Sequence, residues 1–436
     1  MRVLREIQHL DAAHLLRVVV VDDHARRNRF RLRNRYIYQL QMQSVRFFVV
    51  RRSLKDTHSS CVQGAGVLHP PYRTFLRSAM KRAVLLTAFS VLASACCVYT
   101  RPFCAPDGTI LPGSIATMEY ATIGGTQQHL WFRGRDRDAP ALILLHAGPG
   151  VSEAPMFRHY DGGLEEHFLV VYWEQRGAGR SYAPDIPPQS MTIAQFLRDL
   201  DDVVELVRHR FGKDTVVLVG HSWGTVLGTI YAHQHPEKVA VYVGVGQFSD
   251  VRESARLSYE YALAQAEQRR DRRAARDLRA IGPQPRTVDE VLATREWVER
   301  FGGSFYGTLS MGDLIRSVLM SDEASLVDLW QLRQGSRFSI EHLWPELSEL
   351  DLRGYRSFMV PVFFLLGRHD WQMPAPVAAN YFDTIDAPCK RLVWFEQSAH
   401  YPPFEEPQKF ERVLIEQVLP LARTGTRTCP RGDETR

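Results

Sequence analysis

The sequence predicts an α/β fold in which a mostly parallel central sheet is covered by helices on both faces and carries an inserted helical cap. Three observations lead to this prediction. Apolar runs recur along the chain from about residue 115, segments with helical spacing of apolar residues lie between them, and a long charged stretch separates two of the runs. Continuous apolar runs are typical of parallel strands buried on both faces.

The apolar runs are the predicted strands. They lie within residues 141–150, 168–181, 215–220, 239–246, 360–370 and 389–400. Between the second and the third run, "MTIAQFLRDLDDVVELVRHRF" has apolar residues at helical spacing.

A change of pattern sets the predicted domain organisation. Charged helical segments replace the strand-like runs over residues 251–350, which indicates a helical cap inserted between two strands of one sheet. We therefore expect the core to comprise residues 106–250 and 351–422, followed by a polar tail over 423–436.

The charge of the chain is unevenly distributed. Residues 1–79 contain 15 Lys and Arg against 5 Asp and Glu, whereas the remaining residues contain 39 against 44. The body is therefore net negative, although the whole chain is net positive. A negatively charged body offers no general phosphate-binding surface, so we expect no nucleic-acid partner.

A signal-like segment follows the basic extension. Met80 begins a short positive start, an apolar stretch follows, and an A-x-A site precedes Cys96, so residues 80–97 are predicted to be a secretory signal. The segment also resembles a lipoprotein box, with Ala93 where Leu is usual, so Cys96 is a possible lipid-anchor site. The alternatives are an internal apolar helix and a genuine surface-binding arm over 1–79.

The location of the protein depends on the start of translation. If Met80 is the start, we expect an exported protein, periplasmic or lipid-anchored. If the basic extension is retained, we expect a cytoplasmic one. In an oxidising space the remaining cysteines can pair, but the sequence does not say which do.

The most informative motif is Gly220-His221-Ser222-Trp223-Gly224. It follows a predicted strand and opens a predicted helix, which is the setting of a nucleophile elbow, a sharp turn that exposes a serine hydroxyl. Glycines on either side let neighbouring chain approach closely. Ser222 is therefore the candidate nucleophile.

A serine hydroxyl needs a base to take its proton, and the base needs a third group to orient it. Asp370 and His400 each directly follow a predicted strand, in the chain order Ser, acid, His. Since the carboxyl ends of parallel strands meet at one edge, we expect both beside the elbow. Asp383 and Asp386 are nearby alternatives for the acid, but neither ends a strand.

A site for acyl transfer also needs donors directed at the developing oxyanion. "HAGPG" (146–150) ends a predicted strand in a loop that can direct backbone N–H groups inward. The Trp223 N–H is one predicted donor, and either Ala147 or Gly148 is the other.

These motifs carry a family resemblance. The set "HAGPG", "YWEQRGAGRS", "GHSWGT", "GRHD" and "SAHYPPFEEP" resembles the α/β-hydrolase superfamily, and in particular its proline iminopeptidase-like group, over roughly residues 110–420. The resemblance implies that Ser222, Asp370 and His400 form a catalytic triad and that residues 251–350 cover it. The chain departs from the group's usual pattern at Ala147, Glu174 and His221.

Aminopeptidases of this group hold the free amine of the substrate with carboxylates of the cap, because a buried ammonium needs a paired charge. No single residue can be aligned with those carboxylates. The candidates in the cap are Glu296, Glu299, Glu323, Glu341 and Glu346, and two further candidates, Glu405 and Glu406, lie just past His400.

The sequence therefore predicts a serine hydrolase acting through an acyl-enzyme, most simply an aminopeptidase of proline iminopeptidase type that releases N-terminal residues from small peptides. The alternatives are a carboxylesterase or amidase and, less favoured because all three triad residues are present, a non-catalytic binding protein. We expect a small-molecule or short-peptide substrate and no cofactor or metal, since no zinc-type spacing occurs. The oligomeric state stays open.

Overall fold

Eight strands form one sheet within residues 98–429, the part of the chain that the computed structural model describes. The predicted extension (1–79), the predicted signal segment (80–97) with Cys96, and the end of the tail (430–436) lie outside the described residues. The strands are β1 (Ile115–Ile123), β2 (Thr126–Gly134), β3 (Ala141–Leu145), β4 (Leu169–Glu174), β5 (Val216–His221), β6 (Val239–Val245), β7 (Val362–Gly367) and β8 (Lys390–Phe395).

The sheet has the strand order β1-β2-β4-β3-β5-β6-β7-β8. The pairs from β4 through β3 to β8 are all parallel, whereas β1 pairs antiparallel with β2, and β2 pairs antiparallel with β4. The predicted mostly parallel sheet is therefore confirmed, with an antiparallel hairpin added at one edge.

Alternating residues of the central strands enter two different hydrophobic cores. Ile143 and Leu218 pack into one core, while Leu144 and Val219 pack into another. Successive side chains of a strand point to opposite faces, so each strand must be apolar throughout. This is why the central strands are continuous runs of branched apolar residues.

Helices cover the sheet and form the inserted segment. In chain order they are α1 (Ala154–Tyr160), α2 (Ile193–Phe211), α3 (Trp223–Gln234), α4 (Val251–Gln268), α5 (Arg272–Ile281), α6 (Val288–Arg300), α7 (Met311–Leu319), α8 (Leu326–Leu347), α9 (Ala375–Asp383), α10 (Pro402–Glu405), α11 (Pro407–Val413) and α12 (Leu419–Thr424). None of the helices in residues 98–429 is both long enough and apolar enough to span a bilayer.

The helix α2 shows how local sequence sets an element's bounds. The Thr192 side chain accepts a hydrogen bond from the Gln195 N–H at 3.2 Å, which satisfies one of the free donors of the first turn. At the other end Gly212 adopts a left-handed conformation with φ 59°, which glycine tolerates best.

The helices α4 to α8 occupy the predicted cap, between β6 and β7. Its first three helices have a small core of their own, in which Ala262, Leu278 and Trp297 are buried together. The C-terminal end of the described chain is tied back to the sheet, because Cys389, just before β8, forms a disulfide with Cys429.

Candidate active site

Ser222 lies between the last residue of β5 and the first residue of α3, in a strained conformation with φ 51° and ψ −115°. A non-glycine residue with positive φ is uncommon and is characteristic of a nucleophile elbow. The flanking glycines are required by space. A Cβ at Gly220 would overlap the Gly224 carbonyl, and a Cβ at Gly224 would overlap the Leu145 carbonyl of β3.

Ser222, His400 and Asp370 form a continuous line of hydrogen bonds. The Ser222 Oγ lies 2.9 Å from His400 Nε2, and His400 Nδ1 lies 2.8 Å from Asp370 Oδ2. All three side chains are buried. The three predicted residues therefore meet at one place, at the carboxyl ends of β5, β7 and β8.

The second oxygen of Asp370 fixes the carboxylate in place. Oδ1 accepts the backbone N–H groups of Gln372 at 2.9 Å and Met373 at 2.8 Å. Oδ2 is thus left to accept the Nδ1 proton of His400. That proton on Nδ1 makes Nε2 the acceptor that faces Ser222.

A second buried histidine stands directly behind the nucleophile. His221 Nδ1 lies 3.0 Å from both carboxylate oxygens of Glu153, and its Nε2 lies 2.9 Å from the backbone carbonyl of His400. Burial acts to lower the pKa of His221, but the charge and hydrogen bond of Glu153, the His400 carbonyl and the charge of Asp370 together outweigh it, so the pKa is raised. Burial acts to raise the pKa of Glu153, but the charge and hydrogen bond of His221, the Ala147 N–H and His146 together outweigh it, so the pKa of Glu153 is lowered.

The structure separates the two alternatives for the oxyanion donor in the loop after β3. The Ala147 N–H donates to Glu153 Oε2 at 2.8 Å, so that donor is already engaged. Gly148 has φ 128°, and its N–H makes no hydrogen bond to another described residue. Trp223 is the first residue of α3, where a backbone N–H has no partner within the helix.

Buried polar contacts hold these two segments together. The Trp223 indole donates to Gln175 Oε1 at 2.8 Å, and the Gln175 N–H donates to His146 Nε2 at 3.1 Å. His146 Nδ1 then donates to the Ala147 carbonyl at 2.7 Å. Burial lowers the pKa of His146, in keeping with a neutral ring that accepts at one nitrogen and donates at the other.

Most of the predicted amine-binding carboxylates are engaged elsewhere. Glu323 pairs with Arg158, and Glu346 accepts the Ile193 N–H. The remaining engaged residues pair with arginines or accept backbone N–H groups: Glu296 with Arg300, Glu341 with Arg337, Glu405 with the N–H groups of Tyr306, Ala399 and Tyr401, and Glu406 with the Gln397 N–H.

Glu299 is the exception among the seven candidates, since no hydrogen bond or ion pair joins its carboxylate to another described residue. Partial burial, and then the neighbouring Glu296, raise its pKa. The structure therefore does not gather the predicted carboxylates into one amine-binding site, and it leaves Glu299 as the candidate that is free to bind.

A cavity lies between the core and the cap. Gly148 and Pro149 line it from the loop after β3, and Gln372 and Met373 line it from the segment that follows Asp370. Helices α4, α6 and α8 close it from the cap side. The cavity therefore borders both the oxyanion loop and the segment that follows Asp370.

The sequence did not point to Glu153 or His146 as supporting residues. Glu153 is separated from His221 by 68 positions, and the order of strands in the sheet brings the two together. The histidine at 221 was visible as a departure from the usual elbow motif, and this was the available signal for a partner.

Comparisons with known proteins agree with this fold. A model of the α/β hydrolase fold family matches residues 140–407. The probable aminopeptidase YbaC of Bacillus subtilis is 34% identical over 304 residues, which cover 69% of this chain and 96% of that protein. Proline iminopeptidase of Neisseria gonorrhoeae is 32% identical over 129 residues, 30% of this chain and 39% of that protein.

The fold also matches a solved structure. The crystal structure of a proline iminopeptidase from Mycobacterium smegmatis superposes with a TM-score of 0.55 at 18% identity, covering 71% of this chain and all of that one. At this identity the match concerns the fold alone. Together with the family model and the Bacillus relative, it confirms the predicted resemblance: the chain belongs to the α/β hydrolase fold family and is a hydrolase enzyme.

Proposed function

We propose that the protein is a serine hydrolase in which Ser222 is the nucleophile, His400 the general base and Asp370 the residue that orients His400. The observation that carries the proposal is the unbroken line from Ser222 Oγ through His400 to Asp370, at 2.9 and 2.8 Å. The strained turn at Ser222 supports it, since such strain persists at sites where the surrounding structure holds it in place.

The reaction follows from these contacts. Ser222 Oγ attacks the substrate carbonyl carbon while its proton passes to His400 Nε2, which gives a tetrahedral oxyanion. His400 then returns the proton to the leaving amine or alcohol as the bond to carbon breaks. Water attacks the acyl-enzyme with His400 again as the base, which releases the acid and restores Ser222.

Two backbone N–H groups are proposed to stabilise the oxyanion. These are the N–H of Trp223 at the start of α3 and the N–H of Gly148, since that of Ala147 is engaged by Glu153. The partial positive charge at the N-terminus of α3 adds to their effect. Removing one such donor typically costs about 100-fold or more in kcat.

As the substrate class we propose short peptides, from which the enzyme releases the N-terminal residue. This is supported by the similarity to the probable aminopeptidase of Bacillus subtilis, which extends over 96% of that protein. Glu299 is the proposed partner of the substrate amine, because it is the uncommitted carboxylate among the candidates. A carboxylesterase or amidase is the second candidate, favoured by the engagement of the other six.

The nucleophile is tested with a fluorophosphonate probe, which reacts with activated serines, and with the Ser222→Ala variant. Wild type and the control Ser348→Ala should be labelled and active, because Ser348 lies at the end of α8, outside the proposed triad. Ser222→Ala should lose labelling and nearly all turnover while keeping its thermal unfolding temperature. An unlabelled wild type would instead support a non-catalytic binding protein.

The substrate class is tested by comparing rates on prolyl and alanyl arylamides with free N-termini, on their N-acylated forms, and on short-chain aryl esters. Turnover of the free-amine substrates that is lost on N-acylation supports the aminopeptidase. Turnover of esters alone would exclude it and leave the serine hydrolase intact.

We also propose that the mature protein is exported. The disulfide between Cys389 and Cys429 supports this, because structural disulfides persist in oxidising compartments. Mass spectrometry of the native N-terminus is the test. A mature chain that retains residues 1–79 would contradict the proposal.

A further inference from the structure

One arginine of the cap differs from its neighbours. Arg295 of α6 is partly buried and lines the cavity beside the candidate site, and it is the one ionisable residue among those that line this cavity in the described chain. Neither a hydrogen bond nor an ion pair joins its guanidinium to another described residue. By contrast, Arg300, five residues along the same helix, pairs with Glu296 at the surface.

A cation removed from water without a partner is costly, so such groups are normally paired. Burial lowers the pKa of Arg295, and the nearby Tyr401 phenol acts in the opposite direction. The guanidinium nonetheless stays protonated, as arginine does throughout the physiological range. The cavity lining therefore includes a positive charge and no acidic residue that pairs with it.

The other polar groups of the cavity narrow the chemistry of the missing anion. Ser258 Oγ donates to the Ser254 carbonyl at 2.8 Å, and Thr294 Oγ1 donates to the Glu290 carbonyl at 2.9 Å, so these hydroxyl protons are engaged within their own helices. Arg295, the Gln372 amide, the Ser254 hydroxyl and the Trp344 indole N–H remain as side-chain donors, and Arg295 is the charged one among them. Phosphate sites usually gather more positive charge than one arginine supplies, whereas one guanidinium fork matches one carboxylate.

The remaining lining is mainly apolar and includes Phe248, Ile340, Trp344 and Met373. An occupant of this cavity would thus place an apolar body against these side chains and an anionic end at α6. The cavity reaches Gly148, so the same occupant would extend to the loop that is proposed to stabilise the oxyanion.

We propose that Arg295 binds a carboxylate of the substrate and so selects substrates that carry one. This step rests on the proposed function: the carboxylate is the C-terminal carboxylate of a short peptide, and an apolar side chain of that peptide fills the cavity. The enzyme would then act on dipeptides and similarly short peptides in preference to their C-terminal amides. The preference would appear mainly in KM, because the carboxylate is bound in the same way before and during reaction.

The test is a binding measurement that needs no turnover. Isothermal titration calorimetry compares 4-phenylbutyrate with 4-phenylbutan-1-ol, its neutral counterpart of the same length, on wild type, on Arg295→Gln and on the control Arg300→Gln. We expect the acid to bind wild type and Arg300→Gln at least tenfold more tightly than the alcohol. In Arg295→Gln the two affinities should fall within threefold of each other.

Stability measurements separate this role from a structural one. Because the guanidinium has no protein partner, Arg295→Gln should unfold at the same temperature as wild type or at a higher one. Added 4-phenylbutyrate should raise the unfolding temperature of wild type but not that of Arg295→Gln. Equal affinities of acid and alcohol for wild type, no binding of either, or an acid preference that survives in Arg295→Gln would each overturn the inference. Failure to cleave peptides would count against the aminopeptidase and leave this comparison valid.

Discussion

His221 and His400 are joined directly: the Nε2 of His221 donates to the backbone carbonyl of His400 at 2.9 Å. The other nitrogen of His221 faces the carboxylate of Glu153 at 3.0 Å. Both ring nitrogens thus face acceptors, so the ring is protonated on both when Glu153 is ionised. The residue before the nucleophile therefore carries a buried ion pair that supports the backbone of the candidate base.

The contributions of His221 and Glu153 to the stability of the fold should depend on each other. We expect His221→Gln and Glu153→Gln each to lower the free energy of unfolding by about 3 kcal/mol, since either leaves a buried partner uncompensated. The double variant should lose less than the sum, with a coupling of about 1–3 kcal/mol in a urea-unfolding cycle. Additive losses would show that the two groups act independently.

The ion pair between His221 and Glu153 should stabilise the fold within a limited range of pH. The raised pKa of His221 means that its contribution is fully present below its ordinary value of 6.5 and is lost as pH rises through the raised value. The lowered pKa of Glu153 means that its contribution is present above 4.5 and is lost as pH falls. The stability difference between wild type and the double variant should therefore be largest between about pH 4.5 and 6.5.

The orientation of His400 by Asp370 gives a prediction about activity. In Asp370→Asn the amide oxygen is the group suited to accept the N–H groups of Gln372 and Met373, so the amide NH₂ would face His400 Nδ1. Nδ1 must then be the acceptor, and the ring proton moves to Nε2, where it blocks proton transfer from Ser222. We expect kcat to fall about 10³–10⁴-fold, with little change in stability.

A matched variant checks that prediction. Asp383→Asn changes an exposed aspartate of α9 that the sequence offered as an alternative acid, and it should keep wild-type kcat. Steady-state kinetics on an activated ester are sufficient for both variants. Equal losses in the two variants, or none in Asp370→Asn, would contradict the assigned role of Asp370.

Close packing at the elbow predicts a large effect of one methyl group. In Gly224→Ala the new Cβ would overlap the carbonyl and the Cβ of Leu145, atoms of a core strand that cannot move away as the end of a flexible side chain could. We expect a loss of at least about 3 kcal/mol in the free energy of unfolding, as is typical of overpacking at its upper end. Gly354→Ala, with open space around the new Cβ, should change it by less than about 1 kcal/mol.

The sequence predicted the sheet because its strands are buried on both faces and so are apolar without interruption. It also predicted the meeting of Ser222, Asp370 and His400, because parallel strands bring their carboxyl ends to one edge. The role of Glu153 could not be predicted. Its loop position carries no periodic signal, and its partner His221 lies on another element.

The substrate-binding residues could not be predicted for a different reason. Glu296 and Glu341 pair with an arginine four residues away on the same helix, a spacing that the sequence does show. Glu323 and Glu346 are engaged by residues far away in the chain, which single-sequence patterns do not specify. The binding role proposed for Arg295 could not be predicted either, because the sequence does not show that this arginine lines a cavity without a partner.

Glu405 predicts a second pH dependence, close to the candidate base. It accepts the N–H groups of Ala399 at 2.8 Å and Tyr401 at 3.1 Å, on either side of His400. Burial raises the pKa of Glu405 to about 7, although three backbone N–H groups oppose the shift. A raised carboxyl pKa means that its contribution is full below about 4.5 and is lost as pH rises through about 7.

The variant Glu405→Gln tests this dependence, because glutamine does not titrate. Relative to the variant, wild type should lose about 1–3 kcal/mol of unfolding free energy between pH 4.5 and 8, after allowance for the partial exposure of the side chain. Urea unfolding at several pH values provides the measurement. A constant difference between the two proteins would mean that Glu405 does not titrate in this range.

The disulfide between Cys389 and Cys429 gives the last prediction. It joins positions 40 residues apart and fastens the end of the described chain to the segment that leads into β8, the strand followed by His400. Closing a loop of this length lowers the entropy of the unfolded chain, so Cys429→Ser should lower the free energy of unfolding by about 2–4 kcal/mol. Cys104→Ser, at an exposed free cysteine, should not. Because the lost constraint acts mainly on the unfolded state, kcat of Cys429→Ser at 25 °C should stay near that of wild type while its unfolding temperature falls. A parallel loss of kcat well below the unfolding transition would instead show that the bond positions the segment carrying His400.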